Sequence, residues 1–414
     1  MFALTNVMRD YPWGSPSAIA ELLGTAPSGG PEAELWMGAH PDSPSVAMTA
    51  EGPVALDSLI SAHPAAMLGE DAVAAFGAKL PFLTKLLAAE KALSLQVHPT
   101  LAKARERFAD EESEGVPRDA QHRNYKDENH KPEMIFALTN FEALCGFRPC
   151  GQAADLFRAV AEALTAAGSP VPDLLTELTM TLNSRMAEPM VIRRAFEALI
   201  DGGAAATDLV NLAAAALARV PEGELNTSLR TVVELSEQYP GDPGVLISLL
   251  LNRISLVPGQ AVYLPAGNIH AYLSGLGLEV MASSDNVLRG GLTGKHVDVP
   301  ELMETVDFAS TPVPFVPTRT TDLGQHVWEP PFAEFALQRV EIAADSEPVP
   351  LVQNGPLLVL AVSGSVLLDS PRGDMVLPRG GSVFVPATEN PVMVHPHADA
   401  GGEPSVVFAV TVAG

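Results

Sequence analysis

Ionisable and polar side chains keep falling on one face of strand-like runs whose other face is apolar, and this pattern constrains the chain more than any other feature. In SLQVHP, which Pro99 ends, extended backbone puts Ser94, Gln96 and His98 on one face and Leu95 and Val97 on the other. In KPEMIFAL, Lys131 and Glu133 share a face, and the apolar run MIFAL that follows argues for burial. A buried carboxylate needs a cation beside it. Pro265 and Gly267 interrupt the next run, after which Asn268, His270 and Tyr272 alternate onto one face. Asp285 and Arg289 do the same if that stretch is extended. A β-barrel with a polar mouth or lumen explains the repetition.

The rest of the chain divides around these runs. Residues 151 to about 253 are rich in alanine and leucine, with Leu156, Val160 and Leu164 at helical spacing and Pro170, Pro172, Pro221 and Pro240 between the expected helices. Ala65 to Phe76 also reads as helix, and the charged stretch 101–123 as a helix and loop over the site. From about Thr311 the pattern is all β, with turn residues between apolar runs. PGQAVYLPAG (258–267) has an echo in RGGSVFVPAT (379–388), which sets Pro391 where His270 stands. The second unit is therefore expected to lack the ligand. His395 and His397 alternate as a rival metal pair, but no carboxylate-bearing partner strand is evident near them. His40, before Pro41, reads as a loop or packing residue.

The expected fold is mainly β with a helical insertion: cupin-type (jelly-roll) β-barrels plus an α-helical domain. Residues 1–150 with 245–310 form the catalytic barrel, 151–244 the insertion and 311–414 a second barrel without metal.

Composition narrows the function. Acidic residues outnumber basic ones 50 to 25, and a net charge of −25 repels nucleic acid and anionic membranes. An anionic substrate then requires local lysines and arginines. The two cysteines, Cys145 and Cys150, form no disulfide framework and read as thiols in a reducing compartment. MFALTNVMRDYPWGS lacks the form of a signal peptide, and no apolar stretch is long enough for a bilayer. A cytoplasmic protein, monomeric and acting on a small molecule, is expected.

Gln96, His98, Glu133 and His270 are four candidate metal ligands on three strands, and two imidazoles with a carboxylate are a common divalent-metal set. Such a set also serves Fe(II) in an oxygenase, and a sugar-binding barrel without catalysis is a further reading. The blocks LSLQVHP, NYKDENHKPE and LPAGNIHAYLSGLGLEVMASSDNVLRGGLTGKHVDVPEL decide between these. They resemble, in the same order, the signature blocks of type I phosphomannose isomerases, and AELWMGAHP resembles the N-terminal block of that family. Glu128 departs from the pattern, which has proline there.

The resemblance implies one zinc per chain on Gln96, His98, Glu133 and His270. It implies reversible conversion of mannose 6-phosphate and fructose 6-phosphate through an enediol(ate), either supplying mannose 6-phosphate for GDP-mannose and glycan synthesis or feeding mannose into glycolysis. It marks Arg289 as the catalytic arginine, for phosphate, enediolate or both. Lys131, Asp285, Tyr272 and His98 remain open as proton carriers. Ser94, Lys85 and Lys295 are candidate phosphate contacts beside Arg289.

Overall fold

The computed structural model describes residues 1–397 and 404–414. It is mainly sheet, with a block of helices inserted between the sheet-forming segments. Strand Phe82–Ala89 lies in the middle of one sheet, between Glu34–Met37 and His270–Ala282, and every residue of it is buried. That is why PFLTKLL shows no alternation: both faces are covered. Its Phe82, Leu86 and Ala88 face a core shared with Trp328, Leu337, Leu358, Leu360, Phe384 and Phe408 of a second sheet. Lys85, on the other face, is paired across the ladder with Trp36 and Glu279. The two sheets thus pack through one face of this strand, and the opposite face sets Lys85 between Leu83 and Leu87, each in a separate apolar cluster.

The second sheet takes strands from both ends of the chain. Phe2–Thr5 pairs with Ser382–Val385 on one side and Val46–Thr49 on the other. Val7–Arg9, one residue further on, joins the first sheet at Glu34–Met37. The echo seen in the sequence corresponds to two strands, Ala261–Leu264 and Ser382–Val385.

Strand His270–Ala282 joins the parts of the first sheet. Its start pairs with Gln96 and with Phe141–Phe147, and its end with Phe82–Ala89 and Glu133–Ala137. The change of partner falls at Gly275, whose φ is 118° and where a Cβ would lie 2.5 Å from the Asn140 carbonyl oxygen, so no other residue fits.

The inserted helices include Cys150–Ala166, Asp173–Leu182, Glu188–Ile200, Gly203–Leu217 and Thr227–Gln238. Leu156, Val160 and Leu164 enter one core with Leu95, Val97 and Leu288. Leu95 and Val97 are fully buried, as alternation requires, and each such burial contributes roughly 1.5–3 kcal/mol. The helical block therefore braces the back of the strand whose front carries Gln96 and leads into His98.

Two expectations change. Ala65 to Phe76 is not one helix but two, Pro64–Leu68 and Glu70–Phe76, divided at Gly69 with φ 87°. Asp285 is not on a strand: only Leu288–Gly291 is extended there, and residues 283–287 form a connection held by side-chain hydrogen bonds.

Candidate metal centre

The register of three short strands sets the site. Gln96 lies opposite His270 on one side and opposite Arg289 on the other. Directly opposed residues of antiparallel strands project from the same face, so all three side chains share it. His98 follows Gln96 by two residues. Glu133 begins the strand Glu133–Ala137 and pairs with Met281 near the end of the long strand.

The side chains of His98, Glu133 and His270 converge there, each at most 1 % exposed. His98 Nε2 is 3.3 Å from Glu133 Oε1, and His270 Nε2 is 3.2 Å from Glu133 Oε2. Both imidazoles are oriented from behind. His98 Nδ1–H donates to the Asn286 carbonyl at 2.7 Å, and His270 Nδ1–H donates to the Asn268 carbonyl at 2.9 Å. A carbonyl can only accept, so Nδ1 carries the hydrogen in each ring, and a neutral ring then presents a lone pair at Nε2.

Three side-chain atoms face one another in a buried pocket, and among the described residues His98 Nε2, His270 Nε2 and Glu133 Oε2 have no hydrogen-bond partner. Burial pushes the His98 imidazolium down toward the neutral form. Burial opposes charge on Glu133, but His98, His270 and Lys131 outweigh it and hold the carboxyl well below its usual range. Two imidazoles around a carboxylate, with unpartnered side-chain atoms converging, are the donor set a divalent cation needs. Gln96 is half-buried beside them, with no hydrogen bond to its side chain among the described residues.

The other predicted residues fall into two groups. Lys131 Nζ is 3.6 Å from Glu133 Oε1 and buried, as the shared face implied. Arg289 is half-buried and has no carboxylate partner among the described residues, and burial lowers its pKa. Lys295, exposed nearby, is pushed down by burial and by Arg289 and Lys126. Ser94 makes no side-chain hydrogen bond among the described residues. These groups leave positive charge and a hydroxyl available to an anion. Tyr272 is buried with an unpartnered hydroxyl, and burial lifts its pKa well above the usual range.

Lys85 and Asp285 are already engaged. Lys85 Nζ lies 3.1 Å from Glu279 and 3.6 Å from Glu34, and 5.0 Å from the centre of the Trp36 ring. Asp285 Oδ1 is 3.1 Å from His40 Nε2 and its Oδ2 is 3.3 Å from Arg118. Asp42 N–H donates to His40 Nδ1, which leaves Nε2 as the donor to Asp285. Burial alone would raise the Asp285 carboxyl, but the His40 bond prevails and holds it at about 2, too weak a base to take a carbon-bound proton readily.

Sequence reading missed Glu34, Glu279 and Asn286, and took His40 for a loop or packing residue without its bond to Asp285. A glutamate inside the apolar run GLGLEVMA was the available signal for Glu279. His40 gave no such signal, because its partner lies 245 residues away in a connection. The rival histidines also differ from expectation: His395 Nε2 is 3.5 Å from Asp369 Oδ2. Among the described residues, however, that pair gathers no third metal-capable histidine, cysteine or carboxylate.

Comparison with known proteins agrees with this arrangement. Residues 1–150 match the family model for the catalytic domain of phosphomannose isomerase type I. The chain is 38 % identical to a mannose-6-phosphate isomerase of Salmonella typhimurium, over 95 % of this chain and 96 % of that one. It is 33 % identical to that of Rattus norvegicus, over 94 % of each. A crystal structure of a zinc-bound mannose 6-phosphate isomerase superposes with a TM-score of 0.86 at 35 % identity, covering 100 % of this chain and 99 % of the other. With the ligand geometry, the length of these matches and the shared fold in agreement, this chain belongs to the type I mannose-6-phosphate isomerase family.

Proposed function

We propose that this protein is a zinc-dependent aldose–ketose isomerase that interconverts mannose 6-phosphate and fructose 6-phosphate. The observation that carries the reading is the convergence of His98 Nε2, His270 Nε2 and Glu133 Oε2 on one buried point, none with a hydrogen-bond partner among the described residues. Gln96 completes the set as a neutral oxygen donor from the adjacent register position. Zinc held there supplies Lewis acidity toward the carbonyl and hydroxyl oxygens of the open-chain sugar.

The chain's own groups do the rest. The reaction moves a proton between C2 and C1 through an enediol(ate), so one group must take it and return it. Lys131, acting in its free-amine form, is assigned this task. It is buried beside Glu133, and among the described residues it has no second carboxylate to engage it, unlike Lys85. Tyr272 brings an unpartnered hydroxyl able to donate to a substrate oxygen. Arg289, with no carboxylate of its own, receives the anion, and its planar fork suits phosphate or enediolate. Lys295 and Ser94 support the phosphate. Asp285, held by His40 and Arg118, positions the connection that leads into Arg289 and is not assigned the proton transfer.

In this reading 1–150 with 245–310 make the catalytic unit, a cupin-type jelly roll. Residues 151–244 form the helical insertion that braces it, and 311–414 a related unit without metal. The enzyme is a cytoplasmic monomer that acts on a soluble sugar phosphate. It serves GDP-mannose supply or mannose breakdown. No helix among the described residues is long and apolar enough to cross a membrane, in keeping with such a substrate.

The test is turnover of mannose 6-phosphate by the parent protein and by His270→Ala, each supplied with zinc. Conversion by the parent and loss of at least a hundredfold in a folded variant are expected. Full activity in the variant would remove the proposed centre. No activity in the folded, zinc-supplied parent would remove the isomerase reading.

A further inference from the structure

Asn286 is the most heavily bonded side chain near the centre, and nothing in the isomerase chemistry calls for it. It is fully buried, in the connection 283–287. Its backbone carbonyl accepts the Nδ1–H of His98 at 2.7 Å. Its side chain faces a different segment. Oδ1 accepts the backbone N–H of Lys126 at 2.7 Å and of Asp127 at 3.2 Å. Nδ2 donates to the carbonyls of Asp127 at 2.7 Å and Asn129 at 2.8 Å. Two N–H groups meet one end of the amide and two carbonyls the other, so only this orientation satisfies all four.

The same two segments are joined a second time. Asp127 Oδ2 accepts the N–H of Asp285 at 2.7 Å, and its Oδ1 accepts the Ser284 hydroxyl at 2.8 Å. Among the described residues, Asn286 is thus the one that touches a candidate metal ligand with its backbone and the 126–129 segment with its side chain. That segment presents Lys126 to solvent near Lys295 and Arg289 and runs on into Lys131 and Glu133.

We infer that Asn286 is a positioning residue that couples zinc binding at His98 to the setting of residues 126–129. Fixing the His98 ring fixes the Asn286 peptide, and this holds the amide on which Lys126 and Asp127 hang. Coupling free energy is reciprocal. Zinc therefore tightens the segment, and a properly bonded segment tightens zinc. The inference rests on the reading of His98 as a zinc ligand.

Two measurements test it. The first is hydrogen exchange of the Lys126 and Asp127 amides in the parent protein, zinc-free and zinc-loaded, with amides of helix Cys150–Ala166 as reference. Exchange at the two amides is expected to slow about tenfold or more on zinc binding while the reference stays unchanged. The second is zinc affinity of Asn286→Asp by competition with a chelator. That variant keeps the Oδ1 acceptor, loses both N–H donors and sets a charge 3.4 Å from Asp127 Oδ1. The variant leaves the carbonyl that His98 bonds but frees the peptide that carries it from the 126–129 segment, and a loss of about tenfold, the lower end of what disturbed outer partners of metal ligands cost, is expected here.

A purely structural Asn286 would lower the melting temperature of both forms and leave zinc affinity and the exchange difference untouched. Unchanged exchange in the parent, or parent-like affinity in the variant, overturns the inference. If Asn286→Asp does not fold, the exchange measurement on the parent decides alone. A parent protein that binds no zinc removes both this inference and the proposed function. One that binds zinc and turns over substrate without a change in exchange removes the inference only.

Discussion

Replacing Lys85 with methionine separates two roles that the sequence left joined. Methionine is a long unbranched side chain like lysine, so it keeps much of the packing of Lys85 and removes the charge. The structure places its ammonium between Glu279 and Glu34, with Trp36 Nε1 donating to Glu34 at 2.7 Å. All three charged groups are at most 6 % exposed. Burial works against the ammonium, yet the two glutamates overcome it and hold Lys85 protonated far above the usual lysine range. Removing one partner of a buried ion pair leaves the other charge uncompensated and costs about 3–5 kcal/mol.

Lys85→Met is therefore expected to lose about that much stability at neutral pH. Urea unfolding of the zinc-free protein, read as a shift of the midpoint at constant slope, measures it. Burial already raises the Glu279 carboxyl above its ordinary value. Without Lys85 that carboxyl rises further, and the folded state then binds a proton more readily than the unfolded one. The deficit should shrink as pH falls from 8 to 5. Adding Glu279→Gln should recover much of it at neutral pH. A loss below about 1 kcal/mol, with a KM for mannose 6-phosphate raised more than tenfold, would refute the reasoning and return Lys85 to the phosphate.

Other expectations follow from the same geometry. Arg289→Lys keeps the charge but not the fork, so kcat/KM for mannose 6-phosphate should fall about 10–100-fold. Its melting temperature should hold, since Arg289 has no ion-pair partner among the described residues; parent-like kinetics would remove it from the site. Asp285 is carried from its ordinary 3.8 down to about 2, so its contribution is present above pH 4 and lost as pH falls toward 2. Asp285→Asn should thus be less stable than the parent by up to about 2 kcal/mol at pH 7, with the two denaturation curves converging near pH 2. Leu95→Ala removes a fully buried side chain between the ligand strand and the helices, and should cost about 2–5 kcal/mol in urea unfolding.

Alternation made part of the site legible. It separated Gln96 and His98 from Leu95 and Val97, and the structure puts the latter pair in the helical core. The apolar run after Glu133 pointed to a buried carboxylate with a cation partner, and the three converging acceptors agree with that. Alternation is a local property, and pairing is not. Nothing in SLQVHP or NVLRGG says that Gln96 stands between His270 and Arg289, because that register is fixed by strands more than 170 residues apart.

For the same reason Phe2–Thr5 gave no sign that it would cross to Ser382–Val385. A four-residue strand holds too little pattern to name its neighbour. The partners of His40 and the part played by Asn286 were invisible for a further reason. Both residues sit outside regular elements, where periodicity says nothing, and both act through backbone or side-chain bonds to residues remote in sequence. Asp285 was placed on a strand because its spacing from Arg289 allowed it. The polar residues around it instead hydrogen-bond to one another and hold the chain in a connection.

The central claim is that one zinc, held by His98, Glu133, His270 and Gln96, is required for the sugar-phosphate isomerisation. The measurement that tests it most directly is conversion of mannose 6-phosphate by exhaustively chelated protein, titrated with zinc at protein concentrations far above the dissociation constant. The account predicts no turnover at the start, a linear rise and a sharp break at one equivalent of zinc per chain. Undiminished turnover in the chelated protein, or a break at two equivalents, would contradict it.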